Sequence, residues 1–183
     1  MSKRIALFSA VAFSALALTG VVVPVSAQEK TVMVGGAAMF PSKNIVQNAV
    51  HSKDHTTLVA AVKAAGLVDT LEGKGPFTVF APTNAAFGKL PAGTVDTLVK
   101  PENKAMLTKI LTYHVVPGRL EASDLTDGKK LKTVQGEELT VKRSGDTVMI
   151  IVSKGGSSTV TIPNVNQSNG VIHVVDTVLM PAS

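Results

Sequence analysis

The sequence predicts an α+β fold, with helices gathered in the first half of the chain and hairpin-linked strands in the second. Between Asn44 and Thr112 most apolar residues fall at helical spacing. After Pro117-Gly118 the pattern changes to short alternating or β-branched runs, separated by Gln135-Gly136, Ser144-Gly145 and Gly155-Gly156, which are turn compositions. The two kinds of segment are segregated, which argues against a regularly alternating parallel sheet.

Residues 28–43 hold Gly35-Gly36, Ala37-Ala38 and Pro41 and read as an irregular lead-in, so the domain spans 44–183. Ile45, Val46, Ala49 and Val50 form the apolar face of a first helix. Leu58, Val59, Val62 and Ala65 line a second, which Gly66 ends. Ser52-Lys-Asp54 is the break between them, with Asp54 placed to cap the second helix. A buried strand is expected at 77–80. Thr83 then caps a short helix carrying Ala86 and Phe87. Helices follow at 94–99 and 102–112, the latter with Pro101 at its first turn and Met106, Leu107, Ile110 and Leu111 on its apolar side. Strands are expected at 131–134, 139–142, 148–152, 159–162, 171–175 and 177–180. No internal repeat suggests a second copy of the domain.

The chain starts with Lys3 and Arg4, continues apolar from Ile5 to Val23, and reaches Val25-Ser-Ala27, a small-residue cleavage pattern. Residues 1–27 therefore read as a secretory signal peptide, Pro24 and the cleavage pattern favouring this over an uncleaved anchor. The expected location is exported, periplasmic or extracellular, with no stable membrane span after cleavage. Cleavage leaves 156 of 183 residues, one domain's worth. The chain has 18 basic and 13 acidic residues. The leader takes two of the basic ones, leaving 16 against 13, a mature charge of +3. With no cysteine there is no disulfide, no thiolate zinc site and no attachment point for a lipoprotein's thioether. Nucleic acid is a poor partner for an exported chain with one Tyr and no Trp.

The motifs of enzymes are missing. There is no Gly-x-Ser-x-Gly elbow, and Gly73-Lys74-Gly75 lacks the flanking residues of a phosphate-binding loop. His51 and His55 are four apart, yet the helix break separates them and no third ligand accompanies them, so no metal is assigned. Glu137 and Glu138 alternate across a strand and face opposite sides, which excludes a paired general acid and base. His114 and His173 have no nucleophile that sequence can pair with them, so both read as hydrogen-bonded structural residues and no catalytic residue or cofactor is assigned. Lys129, Lys130 and Lys132 form the densest basic cluster and are candidate glycan-binding residues for an acidic polysaccharide. The bland alternative is a solvated strand face.

Three blocks occur in order: Thr78-Val-Phe-Ala-Pro-Thr-Asn84, Tyr113-His114, and Asn169-Gly-Val-Ile-His173. Together they resemble the fasciclin domain, over about residues 44–181, and Met33-Val-Gly-Gly-Ala-Ala-Met-Phe-Pro-Ser-Lys-Asn44 looks like the bacterial secreted single-domain members. The resemblance implies a compact wedge of two small, mainly antiparallel β-sheets with several helices packed on one side. It also implies cell adhesion or extracellular and envelope interactions without catalysis, the partner being a cell-surface or matrix protein or polysaccharide. From animal members it carries over Tyr113, His114, Val115 and Val116 as a candidate adhesive surface, with burial in the core as the competing reading. Where animal matrix members have Glu-Pro-Asp-Ile, this chain has Ile162-Pro-Asn-Val165. The carboxylate that would meet an integrin-bound metal ion is missing.

Overall fold

A computed structural model describes residues 30–182. The expected signal peptide, 1–27, lies outside the described residues.

Among the described residues six antiparallel pairings and one parallel pairing join the strands. The supposed lead-in is a hairpin, β1 (Val32–Val34) and β2 (Ala37–Met39), which turns at Gly35-Gly36, both at positive φ. Its Val34 and Met39 enter the core, so this stretch is not irregular. Helix α1 (Ile45–Ala49) is opened by a capping box in which Asn44 and Gln47 exchange side-chain and backbone bonds. A single 3-10 turn, Lys53–His55, precedes α2 (Thr56–Ala65). Asp54 does not cap α2; instead Asn84, distant in sequence, accepts the Thr57 N–H at 3.0 Å. Gly66, at φ 71°, ends α2 as expected. A short α3 (Val68–Glu72), not predicted from the sequence, follows.

Strand β3 (Phe77–Pro82) leads to α4 (Asn84–Gly88), whose Ala86 N–H is capped by Thr83. Helix α5 (Thr94–Leu98), a 3-10 turn at Pro101–Asn103 and α6 (Lys104–Tyr113) complete the helical half. The chain then returns through β4 (Val115–Pro117) and enters β5 (Lys130–Lys132), β6 (Glu138–Ser144), β7 (Thr147–Ile151), β8 (Ser157–Gln167) and β9 (Gly170–Val175). Residues 177–180, expected as a strand, form none; Val178 and Leu179 are buried as irregular chain.

Apart from the β1–β2 hairpin there is one seven-stranded sheet, in the order β4-β3-β9-β8-β7-β6-β5, rather than two small packed ones. All its pairings are antiparallel except β3 with β9, where Phe77 to Pro82 run beside Gly170 to Val175. The sheet curls until its edges meet, and the Val134 N–H donates to the Val115 carbonyl at 2.8 Å. It is a near-barrel joined at one seam.

Strand alternation divides the interior into two clusters. Val79, Ala81, Ile172 and Val174 pack under the helices against Leu58, Leu107 and Leu111. Phe80 and Val175, their neighbours in sequence, point to the other face and join Tyr113, Leu125, Leu139 and Ile150 inside the curl. Covered on both faces, β9 is buried throughout, which is why its sequence reads as a continuous apolar run.

Candidate functional site

Helix α6 ends at Tyr113, and its C-cap residue His114 feeds directly into β4. The Tyr-His pair therefore sits where helix layer and sheet meet. Tyr113, His114, Val115 and Val116 are all buried, with exposures of 0%, 2%, 6% and 3%. The Tyr113 hydroxyl accepts the Ser153 N–H, and Val115 and Val116 fall one in each cluster. As placed in the fold, these four side chains are core and offer no exposed adhesive surface. The pattern of alternating inward positions at a helix-to-strand junction explains why.

His114 is a clamp. The Leu179 N–H donates to its Nε2 at 2.9 Å, so the other ring nitrogen carries the proton and donates to the Ile110 carbonyl at 2.8 Å. One imidazole thus satisfies a helix-end carbonyl and pins the C-terminal segment. Burial lowers its pKa to about 4, only partly opposed by the Ile110 carbonyl. His173, on β9, is arranged in the opposite tautomer: its Nδ1 accepts from the Asn164 N–H and its Nε2 donates to the Leu120 carbonyl at 2.7 Å. It stacks on Phe80, and burial lowers its pKa as well, against the Leu120 carbonyl and the Glu121 charge. Both nitrogens of each ring are committed to backbone. Neither ring has an acceptor left to take a substrate proton.

The polar members of the other blocks are also structural. Asn84 accepts from Thr57 and donates to the Lys53 carbonyl, tying α4 to the start of α2. Asn169 accepts the Ile45 N–H and donates to the carbonyls of Leu71 and Gly73, so one amide holds the start of α1 and the end of α3 to the sheet. Asn48 donates to Gln167 and to the Phe40 carbonyl. Asn164 adopts φ 57° and accepts the Ala122 N–H at 2.7 Å. None of these roles was read from the sequence; the available signal was an Asn or Gln set among apolar neighbours, as Asn48 is beside Ile45 and Ala49.

The predicted lysines are differently placed. Lys130 and Lys132 flank the buried Leu131 on β5 and share one exposed face. Together with Lys129 they line an open groove of about 570 Å³ along the seam, walled by Val116, Pro117 and Leu120 on one side and by Leu131, Thr133 and Val134 on the other. Lys130 reaches Glu138 at 3.5 Å, and Lys129 donates to the Asp124 carbonyl at 2.7 Å. The seam thus joins the lysine cluster to the end of the Tyr-His strand, two features that sequence left apart. His51 is exposed while His55 is buried on the far side of the 3-10 turn, and among the described residues no group of three or more His, Cys, Asp or Glu is placed to hold a metal.

Residues 53–181 match the family model for the fasciclin domain. The chain belongs to the fasciclin-domain family. Its fasciclin domain is similar to Synechocystis protein sll1483, 46% identical over 98% of this chain and 97% of that protein. It is also similar to the immunogenic protein MPB70 of Mycobacterium bovis, 40% identical over 73% of this chain and 66% of the relative. A third relative is the cell surface glycolipoprotein MPB83 of the same species, 46% identical over 63% and 48%. Among solved structures, a domain pair of the insect cell adhesion molecule fasciclin I overlays with a TM-score of 0.68, at 20% identity, covering 77% of this chain and 52% of that one. That likeness concerns the fold. No helix among the described residues is long and apolar enough to cross a membrane.

Proposed function

We propose that this fasciclin-domain protein is an exported, noncatalytic adhesion or interaction module that works in the periplasm or outside the cell. The observation that carries the reading is the seam groove. It is the place where apolar strand-edge residues and a cluster of cations lie together on the surface, while the imidazoles that could have done chemistry are buried and bonded to backbone. The cell-surface and cell-adhesion designations of MPB83 and fasciclin I support the general role.

The groove favours a second, sharper reading in which the partner is an acidic polysaccharide. Lys130 and Lys132, two residues apart on a strand, stand about 6.6 Å from each other along the chain and could meet successive charges of an extended polyanion. The apolar wall of Pro117, Leu120 and Val134 offers contact to sugar C–H faces in a chain without Trp. The test measures binding of the purified protein to intact cells and to immobilised acidic polysaccharide at low and high salt, with the Lys130→Glu/Lys132→Glu variant alongside. Salt-labile polysaccharide binding, lost in the variant, is expected. Cell binding that resists salt and survives the variant would keep the adhesion reading and discard the polysaccharide; binding to neither would sink both.

A further inference from the structure

We propose that the space between the helices and the sheet is a binding site for a small apolar alcohol, with His55 receiving its hydroxyl. A cavity of about 50 Å³ lies there, bounded by α1, α2 and α3 on one side and by β3 and β9 on the other. That is several times the room one water requires. Its lining is apolar except for His55, His114 and Lys63. The nitrogens of His114 are both occupied and Lys63 is exposed at the rim, which leaves His55 as the polar group of the interior.

His55 is only 3% exposed and is held by one contact, 2.9 Å between its Nδ1 and the Ser52 hydroxyl. Its Nε2 is buried and has no hydrogen-bond partner. Buried polar atoms of native proteins are nearly always paired, so an orphan facing an internal space is a request for a ligand. The Ala81 carbonyl influences the ring, raising its pKa in part against the larger lowering by burial, but closes no bond of normal geometry with it. If the Ser52 hydroxyl donates to Nδ1, Nε2 carries the proton. A hydroxyl then suits both groups, accepting from Nε2–H and donating to the carbonyl.

Water alone fits this space less well. A buried water makes about three hydrogen bonds, and an almost wholly apolar lining cannot supply them. An alcohol needs only its hydroxyl satisfied, and its hydrocarbon gains from the same apolar lining. Val46, Val59, Leu67 and Val68 are half-buried lining residues, so a body longer than the cavity can extend between them toward Lys63. The site is independent of the seam groove, and neither proposal depends on the other.

The test uses 1-hexanol and the purified full chain, followed by the His55 ring-nitrogen chemical shifts and by the melting temperature. The expected result is saturable binding that moves the His55 shifts, about tenfold weaker for pentyl methyl ether, which can accept a hydrogen bond but not donate one. His55→Phe should weaken hexanol binding by a similar factor, and Val59→Trp, which narrows the entrance, should abolish it. Should His55→Phe fail to fold, the shifts in the unaltered chain and the Val59→Trp result still decide. Absence of saturable binding, equal affinity for alcohol and ether with unmoved His55 shifts, or undiminished binding to Val59→Trp would each overturn the proposal, the first leaving a cavity that holds water at most.

Discussion

His114 couples the stability of this domain to pH through two bonds that require the neutral ring. In the unfolded chain its pKa is near 6.5, in the folded chain about 4. Between those values the unfolded state binds a proton that the folded state refuses, so stability rises with pH across the window and is lost as pH falls through it. The contribution is about 3 kcal/mol when converted at about 1.4 kcal/mol per pKa unit. His55 and His173, both lowered chiefly by burial, act in the same direction. Urea unfolding from neutral pH down to pH 4 should show the midpoint falling, and His114→Gln should be less stable at neutral pH with a flatter profile; a pH-independent midpoint in the unaltered chain would contradict the assignment. Asn169 carries a comparable burden without titrating. Replacing it by Ala strands the Ile45 N–H and the carbonyls of Leu71 and Gly73, at a cost of about 2–4 kcal/mol by denaturant unfolding. Asn169→Asp should not rescue it, because a carboxylate can still accept from Ile45 but has nothing to donate to two carbonyls.

Among the elements, the parallel β3–β9 pair is one that a single methyl group can break. A Cβ on Gly170 would lie 2.0 Å from the Phe77 carbonyl oxygen and 3.0 Å from its nitrogen, and both are backbone atoms of the paired strand. Gly170→Ala should cost roughly 3–5 kcal/mol or prevent folding, whereas Gly88→Ala, in α4 with open space around it, should be neutral or slightly stabilising. Equal melting temperatures for the two variants would refute the close approach. The same strands show what local pattern can and cannot reveal. The buried runs of β3 and β9, the Thr83 cap and the Gly66 stop were legible because each is decided within a few residues. The continuation of β8 was not, since Pro163 reads as a strand end; here the register shifts around Ile162 absorb it, and pairing with β9 resumes at Val165. The hairpin at 32–39 was hidden by its glycines and alanines, which become strand only because Val34 and Met39 find a core to enter. The reverse holds at 177–180, whose β-branched pattern is overridden by the His114 bond to Leu179.

For the molecule as a whole, family and α+β class were readable from three sequence blocks, but the single curled sheet and the buried position of the Tyr-His segment were not. Both depend on how far the sheet curls, which is set when β4 and β5, consecutive in the chain but at opposite ends of the seven-stranded order, meet at the seam. The lysine groove is likewise a product of closure: the sequence contains its cations, yet only the seam puts them beside Pro117 and Leu120. Closure also makes the two hydrophobic clusters interdependent. They occupy opposite faces of the same strands, with Val79 and Ala81 on one side and Phe80 between them on the other, so neither cluster can loosen without disturbing the backbone that organises its partner. Leu107→Ala beneath the helices and Leu139→Ala inside the curl should each lower stability by about 2–5 kcal/mol. Each should also preserve a single transition. Tyr113, the one tyrosine, lies in the inner cluster, so its fluorescence reports on the curled sheet, while far-UV circular dichroism reports on the helices. Coincident melting by the two probes in both variants is expected of one cooperative unit. If Leu139→Ala shifted the tyrosine transition and left the helical one in place, the helix layer would be stable without the closed sheet, and the seam would be a device for shaping the groove alone.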